Sequence, residues 1–423
     1  AACGSSTKAA SSSSASSSKS TSAKAITITF ENWADDETAT EPGIRKAVAE
    51  YEKLNPNVTI KLIPVSYSND GHQLLLEYRS GDAPDVAETQ GNYTAALAYA
   101  GALQPLQSYA GSLTSQLDPA AVKIGEYSGK LDAIPWTIAP FGFWYNKVLL
   151  KKATGSSTPP STVAQLETDM AAIKSKLPGV LPFGFDTTNR SFGLDINTPF
   201  MRDFGAVPFT ETSSKLGIET PAFTHYLEFI RLLGHDGYDV PNQLQGHFRP
   251  ILADGKVVFV VDGPYLQGVV QDTNHMTDSE FYKTYGVTVI PSGSNGKHYS
   301  VPTDHQLVMF KSAKHKKAVW AFMKWLATSS AAIKLYTIPY EDSLPPLTKP
   351  AASYASMVDT PPFKAFADKI EPTVIRPPWG PKYSEAYSPI MAGVQEAMTT
   401  STPLSTIEST IVSRLKTAFS AAG

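Results

Sequence analysis

The chain has 423 residues, 42% of them hydrophobic and 10% aromatic, enough apolar material for two sizeable lobes with cores of their own. A formal net charge of -3, with no basic cluster beyond Lys311, Lys314, Lys316 and Lys317, excludes the electrostatic footprint of nucleic-acid binding. No stretch approaches the roughly 20 apolar residues of a membrane-spanning helix, and the single cysteine, Cys3, excludes a disulfide framework or a cysteine-ligated metal within the chain.

Ala1-Ala2-Cys3-Gly4 resembles the end of a lipobox, after which bacterial signal peptidase leaves a cysteine carrying diacylglycerol, so Cys3 is the expected lipidation site. Residues 5–24 are almost wholly Ser, Ala, Thr and Lys, a composition that cannot offset the entropy of ordering, and read as a flexible tether. The fold begins where Ile26, Ile28 and Phe30 alternate as a strand. Pro42 suits a first helical position; Ile44, Val48, Tyr51 and Leu54 make one apolar stripe, and Asn55-Pro56-Asn57 ends that helix. Val58, Ile60 and Leu62 alternate as the next strand, giving a βαβ unit that favours a parallel sheet.

A helix over 73–79, a strand over 85–87 and a small-residue helix from Tyr93 to Gly101 continue the alternation. Thr162 and Gln165 fit a capping box, with Val163, Leu166, Met170, Ile173 and Leu177 as the buried stripe behind it. Pro221 opens another helix, with Tyr226, Leu227, Ile230 and Leu233 inward. Buried strands are expected over 257–261, 287–290 and 307–310, and helices over 315–327 and 404–419. The class is α/β throughout, with no internal repeat and no second low-complexity linker, which points to lobes joined by crossovers.

Seven segments occur in an order similar to that of the family 1 extracellular solute-binding proteins of bacterial ABC importers, the maltose-binding-protein group. They are Ser80-Gly81-Asp82-Ala83-Pro84-Asp85-Val86; Ala100-Gly101-Ala102-Leu103-Gln104-Pro105-Leu106; Gly129-Lys130-Leu131-Asp132-Ala133-Ile134-Pro135-Trp136 followed by Tyr145-Asn146-Lys147; and a partly kept Pro159-Pro160-Ser161-Thr162. Asp254-Gly255-Lys256 with Asp262-Gly263-Pro264-Tyr265, Tyr285-Gly286-Val287, and 314–322 complete the series. The resemblance implies a two-lobed periplasmic-binding-protein-like α/β fold of type II, each lobe a mixed sheet flanked by helices. Residues 25–134 and 292–347 would form the N-terminal lobe, 135–291 and 348–423 the C-terminal lobe, with the hinge near Pro135, Pro291 and Pro350. It also implies capture of an oligosaccharide between closing lobes and delivery to the ABC permease, without catalysis, cofactor or metal. The protein would act as a monomer anchored through Cys3 on the extracellular face of the cytoplasmic membrane.

Sugar rings present C–H faces and hydroxyls, so a cleft for them needs aromatic platforms and short polar groups. On the resemblance, Tyr265 matches a stacking aromatic, Trp136 follows the hinge proline, Trp379 and Tyr383 lie in a late aromatic-bearing region, and Asn189 falls where the second lobe offers polar contacts. Topology adds loop residues at strand ends: Trp33, Asp35 and Asp36 after the first strand, Glu88, Gln90 and Asn92 after the third, and Asp304 and His305 before the 307 strand. Trp144, Trp320 and Trp325 are expected in the core. Ile138-Ala139-Pro140-Phe141 is apolar where maltose-binding protein has a carboxylate, so the resemblance does not extend to maltose itself.

Two alternatives stay open. A glycoside hydrolase would also carry aromatic platforms, with two carboxylates roughly 5–10 Å apart; a binding protein for a non-sugar solute such as a glycerol phosphate would place an arginine in the cleft. No nucleophile elbow, Walker loop, H-E-x-x-H or dinucleotide fingerprint is present, and the eight histidines are dispersed.

Overall fold

The computed structural model describes residues 24–211 and 215–421, so Cys3 lies outside the described residues. In chain order the strands are β1 (Ile26–Asn32), β2 (Val58–Pro64), β3 (Val86–Thr89), β4 (Glu126–Tyr127), β5 (Lys130–Leu131), β6 (Ala133–Pro135), β7 (Gly142–Asn146), β8 (Leu181–Gly184), β9 (Val257–Asp262), β10 (Tyr285–Thr288) and β11 (Gln306–Met309). They build two principal sheets, β2-β1-β3-β11-β6 and β10-β7-β9-β8, while β4 and β5 pair as a hairpin. Both principal sheets are mixed. β1 runs parallel to β2 and β3, and β11 antiparallel to β3 and β6; β8 is parallel to β9, and β7 antiparallel to β9 and β10.

The opening βαβ unit follows its apolar pattern. Ile28 pairs with Ile60 across the parallel ladder, and the helix Glu41–Leu54, with Pro42 in its first turn, buries Ile44, Ala47, Val48 and Tyr51. Each sheet is covered on both faces, which is why its strands read as near-continuous apolar runs. Ile28, Phe30, Val86, Ile134 and Leu307 face one core of the first lobe, and Ala87, Ala133 and Val308 the other. In the second lobe Phe143, Phe259 and Val261 alternate with Trp144, Val257 and Val260 between two further cores.

Three local expectations meet a different outcome. Leu54, expected on the apolar stripe of the first helix, is 56% exposed, because it is the last residue of that helix. Thr162 caps the helix Val163–Lys176 by accepting from the Gln165 N–H at 3.1 Å, but the Gln165 side chain donates down the helix to Asp169 at 2.8 Å, so only half a capping box forms. β10 spans Tyr285–Thr288, leaving Val289 and Ile290 outside the strand, because the chain there swings out to pair Ser292 with Thr162.

The chain passes between the sheets three times. The first passage lies between β6 and β7 and the second between β10 and β11. The third joins Tyr336, in a first-lobe core, to Phe366, in a second-lobe core. An isolated bridge between Ile138 and Leu344 ties the first passage to the third.

Candidate binding cleft

The carboxyl ends of β1, β2, β3 and β6 and the start of β11 share one edge of the first sheet, the place where ligands collect in open α/β sheets. The loop after β1 is fastened there by β3. Glu88 Oε2 accepts the N–H groups of Trp33 and Ala34, both at 3.1 Å. The other oxygen lies 2.8 Å from His305 Nδ1, and His305 Nε2 is 3.3 Å from Glu341 Oε1. The Tyr336 hydroxyl closes the chain by donating to Glu341 Oε2 at 2.8 Å. Burial pushes the Glu88 carboxyl well above its usual range, and lifts Glu341 to about 7 against the opposing pull of His305.

On this buried polar floor Trp33 stands edge-on to His305, with ring centres 4.9 Å apart, and to Tyr67 at 5.5 Å. Tyr67, just past β2, donates to Gln90 Oε1 at 2.8 Å.

The facing wall comes from the second sheet. β9 is buried along its whole length and ends in Asp262, which accepts from Arg249 Nε at 2.8 Å and Nη2 at 3.1 Å. Gly263 is required next: a Cβ there would fall 2.4 Å from the Tyr265 ring, which folds back over it. The Arg249 guanidinium then lies 4.8 Å from the centre of that ring, and burial, with the Asp262 charge beside it, raises the Tyr265 hydroxyl above its usual range. Past the end of β8, Arg190 reaches Asp186 at 3.5 Å. A groove of about 560 Å³ opens between Tyr67 of the first lobe and Arg190, Phe192, Gln245 and Arg249 of the second. Gln245 is only 2% exposed, and neither its side-chain nitrogen nor its oxygen has a hydrogen-bond partner.

The lobes touch beside this groove. Asn92 Nδ2 donates to Ser191 Oγ at 3.1 Å. Trp379 lies so close to Gly91 that a Cβ at 91 would sit 2.0 Å from its ring. Arg376 donates to the carbonyls of Lys123 and Glu126 and stacks 4.3 Å from the centre of the Tyr127 ring.

The residues singled out from sequence are thus distributed unevenly. Trp33, Glu88, Gln90 and His305 come together, Tyr265 stands on the facing wall against Arg249, and Asn92 reaches across to the second lobe. Asp35 is held by Arg45 Nε at 2.7 Å, while Asp36 and Asn189 are exposed at the ends of their strands. Asp304 is buried behind the floor, where its Oδ1 accepts the Ala139 N–H at 2.8 Å and burial lifts its carboxyl to about 7.

Trp136 is fully buried, its ring stacked on Tyr336 at 4.7 Å. The cause is strand periodicity: the Trp136 N–H donates to the His305 carbonyl at 2.8 Å, extending the β6 ladder, so residue 136 shares the inward face of Ile134. Trp379 and Tyr383 are also buried, both donating to Asp195 Oδ1. Burial raises that carboxyl to about 7 in spite of the two donors. Trp144 is in a second-lobe core as expected, while Trp320 and Trp325 are only partly buried, against a first-lobe core. Tyr67, Gln245 and Glu37, the last in the loop after β1, where burial raises its carboxyl and the charges of His305 and Arg249 oppose the rise, were not singled out. Tyr67 was within reach of the strand-end rule, since it follows β2; Glu37 and Gln245 carry no local signal.

Residues 34–333 match the family model described as bacterial extracellular solute-binding protein. A probable ABC transporter-binding protein of Deinococcus radiodurans is 24% identical over 318 residues, 72% of each chain. Among solved structures, the GacH receptor of Streptomyces glaucescens, determined unliganded and with acarbose, superposes with a TM-score of 0.78 at 21% identity, covering 94% of this chain and 99% of its own. Maltose-bound MalE3 of T. maritima gives a TM-score of 0.78 at 20% identity, covering 93% and 100%. With a family match over most of its length and the same two-lobed fold, the chain belongs to the bacterial extracellular solute-binding proteins, the ligand-capturing components of ABC importers.

Proposed function

We propose that the cleft captures a neutral oligosaccharide, returns it unmodified, and presents it to the permease in the closed form. The observation that carries this reading is the composition of the groove. Aromatic rings line it from both lobes, at Tyr67 and Phe192, Tyr265 stands behind it against the Arg249 guanidinium, and the buried Gln245 amide has both donor and acceptor free. An unmade hydrogen bond on a buried amide costs about 1–3 kcal/mol, and a hydroxyl-rich ring is suited to supply it. The charges nearby are already matched within the protein: Arg249 with Asp262, Arg190 with Asp186, and Asp35 with Arg45. A neutral ligand therefore leaves fewer buried charges unpaired than an anionic one.

Two solved relatives in fold carry acarbose and maltose, which supports the same ligand class here. The Glu88, Asp195 and Asp262 carboxylates are each engaged by protein donors, which favours capture over the paired acid and nucleophile of a glycosidase.

The hinge then comprises the three passages between sheets, with lobes divided close to 135, 291 and 350. Asp36, Asn189 and Glu37 would act at the rim, and Trp136, Asp304, Trp379 and Tyr383 would support the cleft from behind. Cys3 would carry a diacylglycerol anchor holding a monomer at the extracellular face of the membrane, a reading that rests on the lipobox-like Ala1-Ala2-Cys3-Gly4 and the tether.

The test is a thermal-shift screen against neutral oligosaccharides, monosaccharides, sugar phosphates and amines. A hundredfold excess over the dissociation constant stabilises by about 2.7 kcal/mol. A shift with neutral oligosaccharides and none with sugar phosphates is expected; a shift with sugar phosphates and none with neutral oligosaccharides would overturn the ligand assignment.

A further inference from the structure

A second cavity, of about 710 Å³, sits on the hinge and shares no lining residue with the cleft groove. Its volume falls within the roughly 300–1,000 Å³ of small-molecule pockets. Ile138 and Leu344, which bridge the first and third passages between the lobes, form part of its wall, with Leu347 and Phe363 beside them. Four carboxyls, of Asp118, Asp359, Asp368 and Glu371, also line it. Glu371 lines the cavity, is only 7% exposed, and has no hydrogen-bond partner on either carboxylate oxygen.

The charges nearest to Glu371 do not relieve it. Burial pushes its carboxyl well above the usual range, and Asp304 and Asp118 act on it as like charges in the same direction. Asp118 accepts from the N–H groups of Ala120 and Ala121, and Asp304 from that of Ala139. Lys364 reaches the same cavity but is paired with Asp359. The result is an apolar chamber with an unpartnered carboxyl at one end and no cation assigned to it.

We propose that this chamber is a second binding site, taking a small amphipathic organic cation whose ammonium group meets Glu371 and whose hydrocarbon part lies along Ile138, Leu344 and Phe363. An ammonium brings both the missing charge and three donors to an acceptor that has none. A bare metal ion fits less well: among the described residues no group of three His, Cys, Asp or Glu side chains is placed to hold one. Since Ile138 and Leu344 belong to the connecting passages, occupancy bears on the hinge directly.

The test is calorimetric titration of the full chain with hexylamine and with its uncharged counterpart 1-hexanol. Hexylamine is expected to bind one saturable site at least about tenfold more tightly than hexanol. Glu371→Gln, which keeps the shape and removes the charge, should abolish that difference. Ala367→Trp, at the exposed rim of the same cavity, should weaken both probes and serves independently of how well the glutamine variant folds. Equal affinity for amine and alcohol, amine binding that survives Glu371→Gln, full affinity in Ala367→Trp, or no saturable binding would each overturn the site. None of these outcomes bears on oligosaccharide capture, which involves different residues.

Discussion

Tyr265 and Trp136 each sit one residue beyond a proline in a family-like motif, yet they end in different surroundings. Gly263 removes the Cβ that would collide with the Tyr265 ring and frees it to lie against Arg249, which lines the groove. Pro135, by contrast, is still paired with Gln306 in the sheet, so the residue after it obeys the alternation of the strand and enters the core. Replacing the two should separate binding from folding. Tyr265→Ala is expected to weaken ligand affinity about 10- to 100-fold, the worth of roughly 1.5–3 kcal/mol of buried aromatic surface, with only a small change in urea midpoint. Trp136→Ala should cost about 3–5 kcal/mol of stability in urea unfolding, because it empties a fully packed site. A Tyr265→Ala variant that binds normally would remove this ring from the cleft.

Among the elements, the helix Gly91–Tyr99 joins the lobes directly, since its first turn holds both the glycine beneath Trp379 and Asn92 opposite Ser191. Gly91→Ala places a methyl group 2.0 Å from an indole backed by Asp195 and Tyr383. The lobes must then separate slightly. Scattering of the ligand-bound variant should give a larger radius of gyration than the parent, with weaker affinity; an unchanged radius and affinity would place the contact outside the closed form.

Most elements were legible in the sequence because each carries its own period: the stripe from Val163 to Leu177 and the alternation of Ile26, Ile28 and Phe30 need no partner to be read. The site was legible only where topology decides it, as for Trp33 and Glu88 at strand ends. It was illegible where one side chain depends on a distant one, as Trp379 depends on Gly91, or Gln245 on the absence of a partner.

At the scale of the whole molecule, buried carboxyls set the response to pH. Burial raises Asp195 and Asp304 from 3.8 to about 7, and Asp203 to about 9. Each holds a proton more firmly folded than unfolded, so the stability they contribute is complete below their unfolded pKa and is lost as pH rises through these higher values. The thermal midpoint should therefore fall by several degrees from pH 5 to pH 8; a midpoint rising over that window would contradict these assignments. The central claim, capture without chemistry, is tested most directly by titrating the protein calorimetrically with a series of neutral oligosaccharides and analysing the recovered sugar by chromatography. One saturable sugar site per chain and sugar returned intact are expected; shortened sugar, or binding only of charged solutes, would show that the cleft is not a receptor for a neutral oligosaccharide.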